Sequence, residues 1–363
     1  MDTFLLSKIN RLIKKERPIL NQETICTYYY EDNYLEISFE NGQCSNDIQG
    51  TCTMCDYGVA TVKKDVTLFI NEMIRIYFSF SDRIDSLMLC TNGSFLDDKQ
   101  IPLEFQQKIM EAANHLPCKT ILIETHYNTI TDSKLKLIKD TIKSKQVKIE
   151  LGLETTNRIY QKCILNKNIP LEILESIVCK IQSNNFIPSI NVLVGIPFLT
   201  ESEQIKDVLD SINWCLKRNT EIVLFPINIK PYTLLYYLYE NNMYQPISHW
   251  LLVHILSLVD KRYLPKIDIS YWGNRDDSYN GKKVVFPLMC KKCRRSVMDF
   301  YSQYLSSNNS SSRQMYIRTL LENANCSCYN TFIAKLDTTH PEKIETRIEK
   351  FYAHLKQVYG ERI

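Results

Sequence analysis

The sequence predicts an α/β protein built on a partial (β/α)6 TIM-like barrel, followed by a small Cys-rich α-helical extension. Short apolar runs alternate along the chain with longer stretches whose apolar residues recur at helical spacing. Most of the runs are apolar along nearly their whole length, which is typical of parallel strands covered by helices on both sides. Six strand–helix units are too few for the closed eight-unit barrel, so we expect a partial one.

The elements follow in a regular order. An amphipathic helix is expected within residues 1–16, one or two strands at 27–40, and a loop from 41 to 58. Five helix–strand pairs come next: 63–79 with 85–91, 103–115 with 119–125, 132–143 with 147–154, 171–184 with 189–197, and 202–217 with 221–229.

The pattern changes after residue 232. Tyr-rich helices, Cys-rich loops, a Ser/Asn linker at 306–313 and a charged final helix near 340–358 are expected there. We therefore predict three regions: an N-terminal helix and first strand at 1–40, a core barrel at 41–232, and an extension at 233–363.

Composition excludes little but sets the context. A formal net charge of +3 over 363 residues does not require a nucleic-acid or membrane partner. No secretory signal opens the chain, and no stretch approaches the roughly 20 apolar residues that span a bilayer. A cytoplasmic protein is expected, in which the 13 cysteines stay reduced. Metal binding is then the first interpretation of the seven that are clustered.

The first cluster is a loop with the spacing C-x7-C-x2-C, formed by Cys44, Cys52 and Cys55. Three thiolates cannot complete a tetrahedral zinc site, but they can bind three irons of a [4Fe-4S] cubane that usually takes four cysteines. The fourth iron is then open to S-adenosylmethionine (SAM), which chelates it through its amino and carboxylate groups. The alternative is a zinc loop completed by a distant ligand such as His126.

Several further motifs occur together with this loop: LCTNGSFLDD at 89–98, ILIETHYNTIT at 121–131, IELGLETTNRIYQKCILNK at 149–167, VGIPFLTESE at 194–203, and the stretch at 225–250. With these motifs the chain resembles the radical SAM superfamily, in the branch near the archaeosine-synthase radical SAM subunit and the elongator catalytic subunit. The chain departs from that branch at His126-Tyr127, where an Arg-Pro-like pair is usual.

The resemblance implies a set of SAM contacts. Thr91, Asn92, Gly93 and Ser94 would replace the superfamily's Gly-Gly-Glu element at the amino group of SAM. The backbone of Met54 would face adenine. The remaining implied contacts, at the carboxyl ends of later strands, are Glu124, Glu154, Arg158 and Gly195. Each also has a structural interpretation as a helix cap or a solvated charge.

A second cysteine group lies in the extension, where Cys290 and Cys293 are followed by Cys326 and Cys328. Four thiolates complete a tetrahedral zinc site, and they can equally hold an auxiliary [4Fe-4S] cluster. Zinc is the preferred interpretation at this point.

The sequence leaves three functional hypotheses. The first is a radical SAM enzyme that abstracts hydrogen from a modified, deazaguanine-type nucleobase or tRNA and cleaves a C–N bond. The second is a radical SAM enzyme that tailors a peptide or small metabolite. The third is a zinc-stabilised nucleic-acid-binding module without catalysis. The enzymatic hypotheses imply a flavodoxin- or ferredoxin-type reductant, a partner subunit in the branch that the chain resembles, and no membrane.

Overall fold

The computed structural model describes residues 3–17, 24–31, 33–57, 64–80, 83–270, 278–279 and 282–360. Its central element is an eight-stranded sheet whose strands follow one another in chain order. The first pair is antiparallel, and every later neighbour is parallel. The sheet is curled into a half-barrel, which confirms the predicted fold class.

The sheet strands are β1 (Cys26–Glu31), β2 (Tyr34–Phe39), β3 (Ser86–Thr91), β4 (Thr120–Thr125), β5 (Gln146–Glu154), β6 (Ile187–Val194), β7 (Glu221–Pro226) and β8 (Ile267–Ile269). A short antiparallel pair, β9 (Ser278–Tyr279) and β10 (Lys282–Lys283), stands apart from it.

Helices connect the strands of the barrel. They are α1 (Thr3–Lys14), α2 (Ser45–Ile48), α3 (Val66–Tyr77), α4 (Leu103–His115), α5 (Asp132–Thr141), α6 (Arg158–Cys163), α7 (Leu171–Ser183) and α8 (Glu201–Lys217). The tail adds α9 (Leu234–Glu240), α10 (His249–Leu258), α11 (Arg294–Ser306), α12 (Ser310–Glu322), α13 (Ser327–Leu336) and α14 (Ile344–Tyr359). Within the described residues, no helix combines the length and apolar character that crossing a bilayer demands.

The two faces of the sheet differ in chemistry because side chains alternate along each strand. One set of alternate residues, such as Ile37, Leu89 and Ile149, belongs to a large apolar core shared with the covering helices. The other set points to the inner, concave face, where it includes Glu36, Cys90, Glu124, Lys148, Glu150, Ser189, Asn191 and Glu221. The interior of the half-barrel is therefore polar.

Six parallel strands were expected, and β2 to β7 are those strands. The predicted sheet is nevertheless too small, because β1 pairs antiparallel to β2 and β8 pairs parallel to β7. The short run at β8 lies beyond residue 232, in the predicted extension, and its three residues carry no periodic signal of their own. The helices α2 and α6 were also missed, since each is too short to show a helical period. Residue 63, where the second predicted helix starts, lies outside the described residues.

The predicted linker at 306–313 is too long, because α11 ends at Ser306 and α12 begins at Ser310. Asn309 caps α12 by accepting hydrogen bonds from the backbone N–H groups of Ser311 and Ser312, so the polar run begins a helix. Arg313, in the first turn of that helix, is fully buried. Its guanidinium donates to the carbonyls of Leu264 and Ile267 at 2.7 and 2.6 Å, and it pairs with Asp268 at 3.0 Å. The arginine thus ties α12 to the start of β8.

We expect Arg313→Met to lower the free energy of unfolding by about 3 kcal/mol, since it removes charged donors from buried carbonyls. Thermal unfolding of purified protein measures the change. Arg318→Met is the matched control, because Arg318 is exposed on the same helix and pairs with Glu322. Equal melting of both variants would contradict the anchoring role of Arg313.

Candidate active site

A cavity of about 200 Å³ opens where the parallel strands end, at their carboxyl edge. The loop that follows β2 forms one wall with the side chains of Cys44, Cys52 and Cys55. Polar side chains from β4, β5 and β6 form the floor, and Leu193, Phe225 and other apolar residues form the opposite wall. The fold therefore brings the three cysteines of the predicted cluster loop together at the edge where parallel barrels bind ligands.

The cysteine loop has little regular structure and depends on its neighbours. The N–H of Cys44 donates to the carbonyl of Tyr57 at 3.0 Å, and the N–H of Thr53 donates to the carbonyl of Leu165 at 3.1 Å. Cys52 adopts a left-handed backbone conformation with φ of 59°. These contacts fix the direction in which each thiol leaves the backbone.

The spacing of the three sulfurs separates the two metal hypotheses for this loop. Zinc–sulfur bonds of about 2.3 Å in a tetrahedron place neighbouring sulfurs about 3.8 Å apart. Within the described residues, the thiols of Cys44, Cys52 and Cys55 do not form a group close enough to hold a single metal ion, alone or with His126. A cubane accommodates wider spacing, since each cysteine binds a different iron. The geometry thus favours a cluster over a single ion.

His126 stands beside the loop without completing it. Its Nε2 atom lies 3.9 Å from the sulfur of Cys44 and 3.3 Å from the side-chain nitrogen of Asn46. Burial lowers the pKa of His126 to about 4, and the nearby charge of Lys167 acts in the same direction. The imidazole is therefore neutral at pH 7.

Burial raises the pKa of all three cysteine thiols, that of Cys55 to about 12. The charges of lysines around the loop oppose the effect without cancelling it: Lys167 and Lys14 act on Cys44 and Cys52, and Lys230 acts on Cys55. Thiolates are the metal-binding form, so a bound cation has to supply the stabilising charge. The donor set fits a metal cluster for that reason.

The N-terminal helix α1 contacts the cysteine loop. Its apolar residues pack in a second core with α9 and α14, while its polar face meets the loop. The side-chain nitrogen of Asn10 lies 3.0, 3.1 and 3.2 Å from the carbonyl oxygens of Gly50, Thr51 and Cys52. Those carbonyls have no strand or helix to accept from, so Asn10 satisfies buried acceptors that the loop itself cannot.

Lys14 and Arg17 extend this contact with charge. Lys14 donates to the carbonyl of Cys52 at 3.3 Å and pairs with Asp47, whose side chain is fully buried. Arg17 binds the other oxygen of Asp47 at 2.6 Å and the carbonyl of Asp56 at 2.6 Å. Lys14 at the end of α1, Arg17 just beyond it and the carboxylate of Asp47 on the loop therefore form a buried ionic clamp.

We expect Lys14→Met to halve, or reduce further, the iron that the protein binds on anaerobic reconstitution, because Asp47 and the loop carbonyls lose a buried charged donor. Iron and sulfide assays per chain measure the loss, with circular dichroism to verify the fold. Lys15→Met is the control, since Lys15 is the exposed neighbour on the same turn. Full iron loading of Lys14→Met would show that the clamp is dispensable.

The second cysteine group also assembles as expected. Cys290, Cys293, Cys326 and Cys328 place all four sulfurs within 4.8 Å of one another. Neighbouring sulfurs lie 3.3 to 3.5 Å apart, between Cys290 and Cys293, Cys293 and Cys328, and Cys326 and Cys328.

Nearby donors point at these sulfurs. The indole N–H of Trp250 donates to the sulfur of Cys328 at 3.3 Å, and the N–H of Tyr329 donates to that of Cys326 at 3.4 Å. Such donors stabilise thiolates. Sulfurs this close suit one tetrahedral ion, whereas four corners of a cubane need more room. The geometry thus favours zinc over an auxiliary cluster.

We expect one zinc per chain in a variant that lacks Cys44, Cys52 and Cys55, because the tail site alone remains there. Adding Cys293→Ser should remove nearly all of that zinc and lower the melting temperature by several degrees. Cys179→Ser, at an exposed cysteine, is the control. Iron in place of zinc at the tail, measured by elemental analysis, would reverse the assignment.

No family model matches the chain. It is 23% identical over 354 residues to the uncharacterised protein MJ0550 of Methanocaldococcus jannaschii, covering 92% of both chains. It is also 23% identical over 222 residues to the archaeosine synthase subunit beta of Thermococcus kodakarensis, covering 58% of this chain and 67% of that one.

Solved structures also match the chain. The radical S-adenosylmethionine methyltransferase TsrM of Kitasatospora setae, solved with cobalamin and a [4Fe-4S] cluster, matches with a TM-score of 0.47 and 10% identity. The match covers 79% of this chain and 61% of that one, less than two thirds of its length. Methylornithine synthase matches with a TM-score of 0.49 and 13% identity, over 74% and 70% of the two chains. The chain is similar to radical SAM enzymes.

The residues that the resemblance to radical SAM enzymes assigns to SAM divide into two groups. Those that line the cavity are Met54, Gly93, Glu124 and Glu154. A Cβ atom at Gly93 would lie 2.5 Å from the amide of Gln100 and 3.0 Å from Cβ of Cys44, so glycine permits the close approach of this loop to the cysteines. Their contact with SAM stays a prediction.

The other assigned residues do not line the cavity. Thr91 donates to the carbonyl of Phe39, Asn92 to Glu40, and Ser94 contacts Thr125, so all three stabilise the loop after β3. The carbonyl of Gly195 accepts from Tyr244 at 2.7 Å. Arg158 is exposed and pairs with Glu172. The structure does not bring these residues to the cavity.

Sequence reasoning missed two lysines that line the cavity, Lys167 and Lys230. Lys167 pairs with Glu154 at 2.6 Å. Burial opposes its charge, but Glu154 and the nearby thiols outweigh burial and raise the pKa of Lys167. Lys167 lies in a quoted motif, yet only the fold shows that it, and not Arg158, faces the cysteines. Asn191 and Asn228 also line the cavity, and no spacing pattern in the sequence indicated them.

Proposed function

We propose that this protein is a radical SAM enzyme in which Cys44, Cys52 and Cys55 hold a [4Fe-4S] cluster. The observation that carries the proposal is the group of three cysteines, two buried and one half-buried, on one wall of a cavity at the carboxyl edge of a parallel half-barrel. When bound and reduced, the cluster supplies the electron that cleaves SAM to a 5′-deoxyadenosyl radical. The similarity to radical SAM enzymes supports this assignment.

In this proposal, the chain's own residues bind and orient the cofactor and shield the reaction from water. Asn10 and the buried ionic clamp hold the cysteine loop. Lys167 offers a positive charge beside the cysteines for the carboxylate of SAM. The apolar wall of Leu193 and Phe225 excludes water, which a radical reaction requires. Neutral His126 stands beside Cys44 and takes no charge at pH 7.

For the substrate, we propose a modified, deazaguanine-type nucleobase in tRNA, with cleavage of a C–N bond. The support is the similarity to an archaeosine synthase subunit beta over 58% of the chain. The same similarity supports a partner subunit, and the chemistry requires a flavodoxin- or ferredoxin-type reductant in the cytoplasm. The tail zinc is proposed to be structural, since it lies in the extension and not at the cavity.

We expect Cys44→Ala, Cys52→Ala and Cys55→Ala each to reduce 5′-deoxyadenosine formation from SAM at least a thousandfold, because a missing ligand prevents cluster assembly. Anaerobically reconstituted, dithionite-reduced protein and liquid chromatography of the products provide the measurement. Cys179→Ser should keep full activity, and all three alanine variants should keep the parent's circular dichroism spectrum. Normal turnover by any alanine variant would refute the cluster assignment.

The substrate is tested separately. Holoenzyme is incubated with SAM and tRNA that carries a deuterated deazaguanine side chain, and deuterium in 5′-deoxyadenosine reports hydrogen abstraction. SAM cleavage without deuterium transfer from any such tRNA would leave a radical SAM enzyme with a different substrate.

A further inference from the structure

The concave face of the half-barrel carries a row of acidic side chains below the cysteine loop. Glu124, Glu150, Ser189 and Glu221 are paired in register across β4, β5, β6 and β7, so they point to the same face at the same height. Neighbouring strands are about 4.8 Å apart, which places the carboxyl groups of Glu124 and Glu150 side by side. Glu150 is 5% exposed.

Cationic partners are unevenly distributed along this row. Glu221 pairs with Lys148 at 2.6 Å, and Lys167, one of two lysines that line the cavity, pairs with Glu154. Neither Glu124 nor Glu150 has an ion-pair partner among the residues that the structure describes. Burial raises the pKa of Glu150 to about 7, and the charges of Glu36 and Asp268 act in the same direction. Burial and the charges of Glu150 and Glu36 also raise the pKa of Glu124. The carboxyl groups of Glu124 and Glu150 therefore lack a compensating positive charge from the described residues.

Asn191 supplies a second and independent observation. It is 6% exposed and lines the cavity, and its amide nitrogen donates to Glu150. Its carbonyl oxygen, Oδ1, is buried and has no hydrogen-bond partner. A buried acceptor without a donor costs about 1–3 kcal/mol, so this oxygen is available to a ligand that carries N–H or O–H groups.

Gly152 leaves the space between the cavity and Glu150 free of a side chain. It lies two residues after Glu150 on β5, on the same face, and it lines the cavity beside Asn191, its partner in register. Its backbone φ is not positive, so conformation does not require glycine here. A Cβ atom would instead lie 2.8 Å from Oε1 of Glu154 and would narrow the space above Glu150.

Part of the wall above this floor is apolar. Leu193, Phe225 and Ile227 line the cavity on the β6–β7 side. Such walls suit methylene groups and not a second charge. A ligand that fits both the acidic floor and the apolar part of the wall has an aliphatic stem and a charged nitrogen at its end.

We infer that Glu150, Glu124 and the carbonyl of Asn191 form a binding site for the ammonium group of an aliphatic amine, which is part of the substrate. The inference rests on the proposed function, because the amine is taken to enter from the side of the cluster. An ammonium group offers three donors, which matches two carboxylates and one amide oxygen. The carbon next to the nitrogen then lies between the acidic floor and the cysteine loop.

The test uses n-pentylamine as the probe and n-pentanol as its neutral analogue, on reconstituted holoprotein. Pentylamine should raise the melting temperature of the parent saturably, and pentanol should not. Glu150→Gln, which keeps the shape and removes the charge, should weaken amine binding at least tenfold. Glu221→Gln is the matched control from the same row and should change it less than twofold.

Gly152→Val provides a second variant that leaves Glu150 intact and should also weaken pentylamine at least tenfold, by blocking the path. Equal stabilisation by amine and alcohol, or unchanged amine binding by Glu150→Gln, would overturn the inference. So would a Glu150→Gln variant that weakens SAM itself, because the floor would then serve the cofactor. SAM cleavage by the parent without added amine is measured in parallel. If the parent cleaves no SAM, the proposed function is wrong. The effect of Glu150→Gln on amine binding is judged from its own measurement.

Discussion

Alternation of side chains across a curved parallel sheet is the constraint on which the rest of this structure depends. Each strand gives one set of residues to the helices and the other to the interior, and the two sets differ in polarity. The outer set builds the core that stabilises the fold. The inner set is left to hold carboxylates, an amide and a lysine, which are costly to bury and therefore have to be matched by a partner or a ligand.

The cysteine loop shows how such a site is held in place. A loop that directs three thiols into one cavity cannot also satisfy its own carbonyls with a helix or a strand. The N-terminal helix α1 provides what is missing, with Asn10 for the carbonyls and Lys14 for Asp47. Its other face packs against α9 and α14. Stability of the tail is thereby linked to the geometry of the cysteines, although the two are far apart in sequence.

The tail also completes the barrel. β8 is the last strand of the sheet, and Arg313 of α12 fixes it through the carbonyls of Leu264 and Ile267. The second cysteine group joins the starts of α11 and α13 to Trp250 of α10. A metal at that place would add to contacts that already join these helices, such as the 2.9 Å hydrogen bond between His249 and Tyr301 and the ring contact between Trp250 and Tyr329. The division at residue 232 stays a prediction, and the sheet itself crosses it.

The sequence by itself determined the class of fold, the six central strands and both cysteine groups, because these depend on local patterns: an apolar run, a helical period, a short spacing between thiols. It could not determine what depends on contacts between distant residues. Three-residue β8 has no periodicity until β7 lies beside it, and Arg313 looked like part of a linker until the carbonyls that it binds were in place. Arg158 and Lys167 are both cations after β5, and only the path of α6 turns one to solvent and the other to the cysteines. Register across four strands placed Glu124 beside Glu150, and no single strand contains that information.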